Sequence, residues 1–359
     1  EQLAAHDAFV RAEVLPKART DFRLPPELYA YSLGQYGVDI PPARLAAMAH
    51  AAFTDLQKQM QQIAASVAKR RGFKSSDYRD VIRELKKEQF VGDAILPHYQ
   101  KRLAEIEEIV RREKLVTLPT RAARIRLASE AESAGTPAPH LSMPRLVGNT
   151  GEVGEFVLPL VVPTGEGREQ LQRFDDFTYE AASWTLTAHE ARPGHEMQFA
   201  SVIEKGVSTT RALFSFNSTN IEGWGLYAEA ILFPHMPEEG RLVSLQHRMM
   251  RAARAFLDPE LQAGKVTPEE ARRVLREDVV LSDAMANQEV ERYTFRAPGQ
   301  ATSYFYGYTR LMELRAEVER AQGKKFDQRA FHDFILAQGF LPPDMMRKAV
   351  MEGFVGKKS

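Results

Sequence analysis

Apolar residues recur at three- and four-residue spacing through most of this chain, the pattern of amphipathic helices packed on a shared core. The stretch "PPARLAAMAHAAFTDLQKQMQQIAASVAKRR" (41–71) predicts a long helix with proline at its start. "SSDYRDVIRELKKEQF" predicts a second, with Ser and Asp as caps, and "ILPHYQKRLAEIEEIVRREKL" a third, begun at its proline. Near Val116 the pattern changes. "RIRLASE" alternates as a strand does, "SAGTPAPHLSMPR" (133–145) is a proline-rich connector, and "GEFVLPLVVP" is β-branched and apolar with prolines that favour an edge or short strand. From about Phe177 helical spacing resumes, predicting helices over 177–192, on to about 204, then 221–232, 239–257, 268–277, 279–293, 300–322, 327–337 and 343–352. The expected fold is mainly α, a multi-helix scaffold with a small β-containing insertion and a central cleft. Its parts are an N-terminal helical part (1–114), the insertion (115–165) and a second helical part (166–359). The glycine-containing "PTGEGREQ" lacks the lysine and spacing of a phosphate loop.

The chemistry concentrates in "TAHEARPGHEMQ" (187–198). Zinc-peptidase helices carry two histidines four residues apart, so both imidazoles face one ion, with a glutamate after the first to act on water. Here Glu190 follows His189, but the second histidine is His195, six positions on. In a straight helix that separation means about 240° and opposite faces. Pro193 makes a straight helix untenable, because its ring meets the carbonyl of His189 and it donates no N–H. A kink or bulge at Pro193-Gly194 would return His195 to the face of His189. The plainer alternative is a helix end, a Pro-Gly turn, and a second helix carrying an unrelated His195.

Two later stretches bear on that choice. "NSTNIEGWGLYAEA" opens with good capping residues and places Glu222 and Glu229 seven apart on one helical face. They stand about 10 Å apart along the axis, too far to share one ion equally. "ERYTFRAPGQATSYFYGYTRLMELR" gathers Arg292, Tyr293, Tyr304, Tyr306, Tyr308 and Arg310 around Pro298-Gly299. Tyrosines and arginines beside a metal can stabilise an oxyanion or hold a carboxylate, although an aromatic stripe at this spacing also suits an ordinary core.

Composition narrows the classes. Lysine plus arginine total 48 against 48 aspartate plus glutamate, which argues against a nucleic-acid or anionic-membrane partner. There is no cysteine, so disulfides, thiolate nucleophiles and cysteine zinc sites are excluded. No apolar run spans a bilayer. The first residue is Glu1, from which a missing N-terminal portion is expected.

"HEARPGHEMQ", "EGWGLYAE", "ERY…PGQATSYFYG" and "FHDFILAQGFLPPDMM", in this order, resemble the bacterial family named domain of unknown function 885, as does "RTDFRLPPELYAYSLGQYGVDI" near the start. That family is read as zinc metallopeptidases, some of them lipoproteins and longer at the N-terminus. The resemblance therefore implies an extracytoplasmic location. More distantly, the chain is similar to the thimet-oligopeptidase and angiotensin-converting-enzyme group, whose helical scaffold carries two metal histidines, a glutamate ligand on a later helix and a transition-state tyrosine. These resemblances imply a metallopeptidase-like scaffold in which His189, His195 and Glu222 bind Zn2+. Glu190 is the expected general base, with Glu196 its rival. Tyr304 is the first choice for the oxyanion donor and Tyr308 the second. Arg292 is expected to pair with Glu229 or hold a substrate carboxylate, and Gln198 to orient His195 or a neighbour; Tyr293 stands in the same segment. The expected activity is peptide hydrolysis. The alternatives are a metal-dependent amidase or esterase on a small substrate, and a non-catalytic helical binding protein.

Overall fold

The helix-spaced segments of the N-terminal part fold as α1 (Gln2–Phe9), α2 (Pro26–Gln35), α3 (Pro42–Arg71), α4 (Tyr78–Leu85) and α5 (Ile95–Arg112) in a computed structural model. The structure describes residues 1–136, 138–159, 162–163, 171–172 and 175–356. The stretch 164–170, and Leu160 and Val161 of the expected strand, lie outside them. In α3 the residues Leu45, Ala49, Phe53, Leu56, Met60, Ala64 and Val67 form one buried stripe at helical spacing. Asp77 caps α4 by accepting from the amide of Arg79 at 2.8 Å. Helix α5 begins two residues before Pro97, where the expected start lay. A proline in the first turn is harmless because amides there have no helical partner.

The β residues lie in β1 (Arg124–Leu127), β2 (His140–Ser142), β3 (Glu155–Leu158), β4 (Val162–Pro163) and β5 (Leu171–Gln172), with the short α6 (Glu130–Gly135) after β1. The first three form a sheet in the order β1-β3-β2, and β4 pairs with β5. Strand β3 is short, one of the two forms expected, and central rather than at an edge, parallel to β1 and antiparallel to β2. Its four residues all keep a backbone N–H, because Pro159 falls just beyond its end.

The second helical part comprises α7 (Glu180–Leu186), α8 (His195–Lys205), α9 (Thr209–Phe214), α10 (Ser218–Leu232), α11 (Glu238–Gln262), α12 (Pro268–Arg273), α13 (Asp283–Glu291), α14 (Thr302–Gln322), α15 (Gln328–Ala337) and α16 (Pro343–Val350). The protein is mainly helical with a small three-stranded sheet. Among the described residues no helix is long and apolar enough to cross a membrane.

Helix α11 is the hub, packed against α3, α7 and α14 and buried along nearly its whole length. It therefore carries polar groups inward as well as apolar ones. Gln246 donates to the carbonyl of Val279 at 2.9 Å, Tyr29 donates to Asp258 at 2.9 Å, and Gln262 donates to the carbonyl of Tyr293 at 2.8 Å. Helices α10 and α14 meet backbone to backbone. A Cβ on Gly223 would lie 2.5 Å from the carbonyl carbon of Gly307, and one on Gly307 would lie 1.9 Å from the carbonyl oxygen of Thr219. Only glycine at both positions allows this approach. It brings the Glu222 and Tyr304 side chains to one region.

Candidate metal centre

Helix α7 widens at its end into a single π-helical turn, Thr187–Ala191, and the chain then leaves the helix at Arg192. The Arg192-Pro193 peptide is cis, and α8 starts afresh at His195. The expected kink within one helix is thus a stop and a restart. His189 ends one helix and His195 opens the next, with ring centroids 4.6 Å apart and planes at 80°. The helix-turn-helix alternative describes the backbone, yet the two histidines converge. Gly194 has a φ of −82°, so its value is not conformational freedom. A Cβ there would lie 1.9 Å from the carbonyl oxygen of His189, and its absence lets the new helix start against the old one. Trp224 pins the break by donating its indole N–H to the carbonyl of Pro193 at 2.9 Å.

Glu222 on α10 completes the group. Its Oε2 lies 3.7 Å from Nε2 of His189 and 3.3 Å from Nε2 of His195. One ligating atom from each of the three residues lies within 4.8 Å of the others. Two ligands of one zinc ion, each about 2.1 Å from it, stand no more than about 4.2 Å apart. Both carboxylate contacts fall inside that limit. Oε2 of Glu222 and Nδ1 of His195 are buried without a hydrogen-bond partner among the described residues.

Glu229, two turns further along α10, lies behind His189 rather than beside the ligands. Nδ1 of His189 donates to it at 2.7 Å, Thr185 donates at 2.5 Å, and an Arg251 nitrogen lies 3.5 Å away. The seven-residue separation thus puts one carboxylate on each side of the same imidazole. Protonating Nδ1 leaves Nε2 with a free lone pair facing Glu222 and His195, the arrangement that readies a histidine for a metal. Gly225, between the two glutamates, makes room for the ring. A Cβ there would lie 2.5 Å from its Cε1.

The electrostatics favour a cation. Burial opposes charge on His189, but Glu222 and Glu229 outweigh it and hold its pKa up at about 9. Burial raises Glu222 and Glu229, yet the facing histidines pull the first well below the carboxylate range, and Arg251 with His189 pulls the second to about 2. Glu190 is 8% exposed, and burial raises its pKa against the pull of His189 and His195. Buried carboxylates thus crowd two imidazoles, an excess of negative charge that suits a divalent cation.

The other expected residues divide. Glu196 turns away: Arg192 holds it at 2.7 Å and also donates to Glu107 at 2.6 Å, so it is the anchor of a buried ion pair at the helix break. Gln198 donates to Asn220 at 3.0 Å rather than orienting His195, because one helical turn carries it toward the start of α10. Tyr304 stacks near His189, centroids 6.3 Å apart and planes within 15°. Arg292 donates to its hydroxyl at 3.0 Å. Arg292 does not pair with Glu229; its carboxylate neighbour is Glu289, at 3.7 Å. Tyr293 is fully buried and donates to Glu289 at 2.7 Å, which makes it part of the support beneath the site. Tyr308, one turn past Tyr304, packs under Arg248 and against a separate apolar cluster instead of facing the ligands.

Thr185, Arg251 and Arg254 were not legible as site residues. Thr185 lies four before His189, a spacing that shares a face, and this was the available signal. Arginines in a long helix read as solvated, and their burial follows only from the packing of α11 on every side. His247, on the same helix, is buried; burial and the nearby Arg251 push its pKa down to about 3.

The model for the family "Bacterial protein of unknown function (DUF885)" matches residues 1–350. The chain belongs to the DUF885 family. No curated protein matches it. Among solved structures, this DUF885 chain is similar to a candidate lipoprotein of unknown function from Shewanella oneidensis, with a TM-score of 0.77 and 23% identity over 98% of this chain and 63% of that one. It is also similar to a candidate lipoprotein from Colwellia psychrerythraea, with a TM-score of 0.83 and 22% identity over 99% of this chain and 60% of that one. The DUF885 chain thus spans about three fifths of the length of these structures, and the likeness is one of fold.

Proposed function

We propose that this DUF885 protein is a zinc-dependent peptidase. The convergence of His189, His195 and Glu222 on one point, with Glu229 fixing the tautomer of His189, carries this reading. These three side chains would hold the ion, and a bound divalent cation supplies polarisation of a carbonyl and a more acidic water. Glu190 takes the proton from the attacking water and delivers it to the departing nitrogen. Its raised pKa suits both halves of that task. The Tyr304 hydroxyl accepts from Arg292, which leaves its own proton free for the oxygen where negative charge builds. Trp224 and the enclosing helices keep bulk water away.

A metal-dependent amidase or esterase acting on a small substrate is the second reading. It draws support from the enclosure of the site, where His189 is 2% exposed and the Glu222 side chain 16%. The candidate lipoproteins among the similar structures favour an extracytoplasmic location. Metal analysis of the purified protein, followed by hydrolysis assays on a peptide library and on simple esters and amides, tests the proposal. Bound zinc with peptide cleavage supports it. Absence of zinc, and of cleavage after zinc is supplied, overturns it.

A further inference from the structure

Three guanidinium groups surround the ring of Tyr304. The Cζ atoms of Arg251, Arg254 and Arg292 lie 6.0, 4.5 and 5.2 Å from its centroid. Two of them are committed. Arg254 forms a two-pronged pair with Glu289 at 2.6 and 2.7 Å, and Arg292 donates to Gln300 and to the Tyr304 hydroxyl.

Arg251 is not. It is 5% exposed, and its Nε and Nη1 have no hydrogen-bond partner among the described residues. Among the described residues it is ion-paired with Glu229, which stands 3.5 Å away and already accepts from His189 and Thr185. Ser244 and His247 precede Arg251 at helical spacing on the same face of α11, and each also has a buried polar atom without a described partner. A buried guanidinium with unmet N–H groups is costly, and a planar carboxylate is the group its fork fits best.

We propose that Arg251 receives a carboxylate of the substrate. Cζ of Arg251 lies 6.0 Å from the centroid of the Tyr304 ring. An extended chain advances about 3.3–3.6 Å per residue. A carboxylate on Arg251 therefore sets a peptide bond one or two residues away beside Tyr304. This assignment of the bond rests on the peptidase reading, and it makes the substrate class short peptides with a free carboxylate near the bond. The carboxylate comes from the C-terminus of the peptide or from an acidic side chain beside it.

The test is a thermal melt of the intact protein with N-acetyl-dialanine, with its C-terminal amide, and with the amide of N-acetyl-alanyl-aspartate at matched concentration. The free acid is expected to raise Tm where the first amide does not; a rise with the aspartyl amide assigns the side-chain source. Arg251→Lys is expected to weaken binding at least tenfold and Arg251→Met to abolish the difference, with metal content measured in each variant. Equal binding of acid and plain amide to the unaltered protein, with no effect of the aspartyl amide, overturns the proposal even if neither variant folds. It leaves the peptidase reading intact, since that reading fails instead on absent peptide cleavage by zinc-loaded protein.

Discussion

The Glu229 carboxylate and Nδ1 of His189 face each other across 2.7 Å, on the opposite side of the ring from Glu222. Replacing that acceptor with Glu229→Gln removes the anion that orients the imidazole and raises its basicity. Zinc affinity is expected to fall about 10- to 100-fold, read by competition with a chromogenic chelator. An unchanged affinity would show that Glu229 serves only to balance Arg251.

Gly225 sets the space in which that ring sits. Gly225→Ala puts a methyl 2.5 Å from Cε1 of His189, and the ring has to move. We expect a loss of about 1–3 kcal/mol of stability together with loss of stoichiometric zinc. Thermal melts and metal analysis check this. A variant that binds zinc like the parent would mean that the ring tolerates displacement.

Two glutamates that look alike in the sequence are expected to answer differently. Glu190→Gln should lower turnover about 10²- to 10⁴-fold while sparing zinc. Glu196→Gln leaves Arg192 buried with a weakened partner, and its first effect should be on folding, up to about 3–5 kcal/mol. Measuring kcat, zinc content and Tm on both variants separates them. A Glu196→Gln protein with normal stability and no turnover would reverse the assignment.

Removal of the metal is expected to lower Tm reversibly. A ligand present at about 100 times its Kd stabilises the folded state by about 2.7 kcal/mol. Chelation followed by zinc addition, monitored by calorimetry, should lose and regain that increment, whereas magnesium should not restore it.

Away from the site, His332 gives the fold an acid-sensitive element. Its Nδ1 donates to the Leu115 carbonyl at 2.6 Å, and its Nε2 lies 2.7 Å from the Tyr227 hydroxyl, to which Arg315 donates at 2.9 Å. The neutral ring accepts the tyrosine proton. Burial pushes its pKa from 6.5 to about 4. Between those values the unfolded chain binds more protons, so stability rises with pH there. The contribution is complete above about pH 6.5 and is lost as pH falls toward about 4, on the order of 3 kcal/mol. His332→Gln should flatten the decline of Tm over that window. An unaltered slope in the variant would assign the decline to other groups.

Much of this was legible in the sequence, for identifiable reasons. Helix α3 declares itself because its stripe runs unbroken from Leu45 to Val67. The grouping of His189, His195 and Glu222 came from the family resemblance, since the residues alone left the two histidines either together or unrelated, and the backbone route between them was not legible. A proline indicates that a helix cannot continue, not whether the chain bends or stops. The actual stop depends on Trp224 gripping the Pro193 carbonyl from another helix. Glu222 and Glu229 share a face by spacing, and only the insertion of an imidazole between them divides their roles. Tyr304 and Tyr308 could not be ranked by periodicity, since the direction of approach of α10 separates them. Arg251 was invisible, because an arginine in a helix is ordinarily solvated and α11 is covered by tertiary neighbours.

The paired glycines at 223 and 307 act as a ruler cut from main chain. Where side chains separate two helices, every exchange of leucine for methionine or valine alters the gap a little. Here nothing stands between α10 and α14 at the crossing, so the offset between the Glu222 and Tyr304 attachment points is set by peptide groups in contact. Drift among the apolar residues elsewhere in the bundle leaves that offset alone. A single methyl at either glycine would reset it.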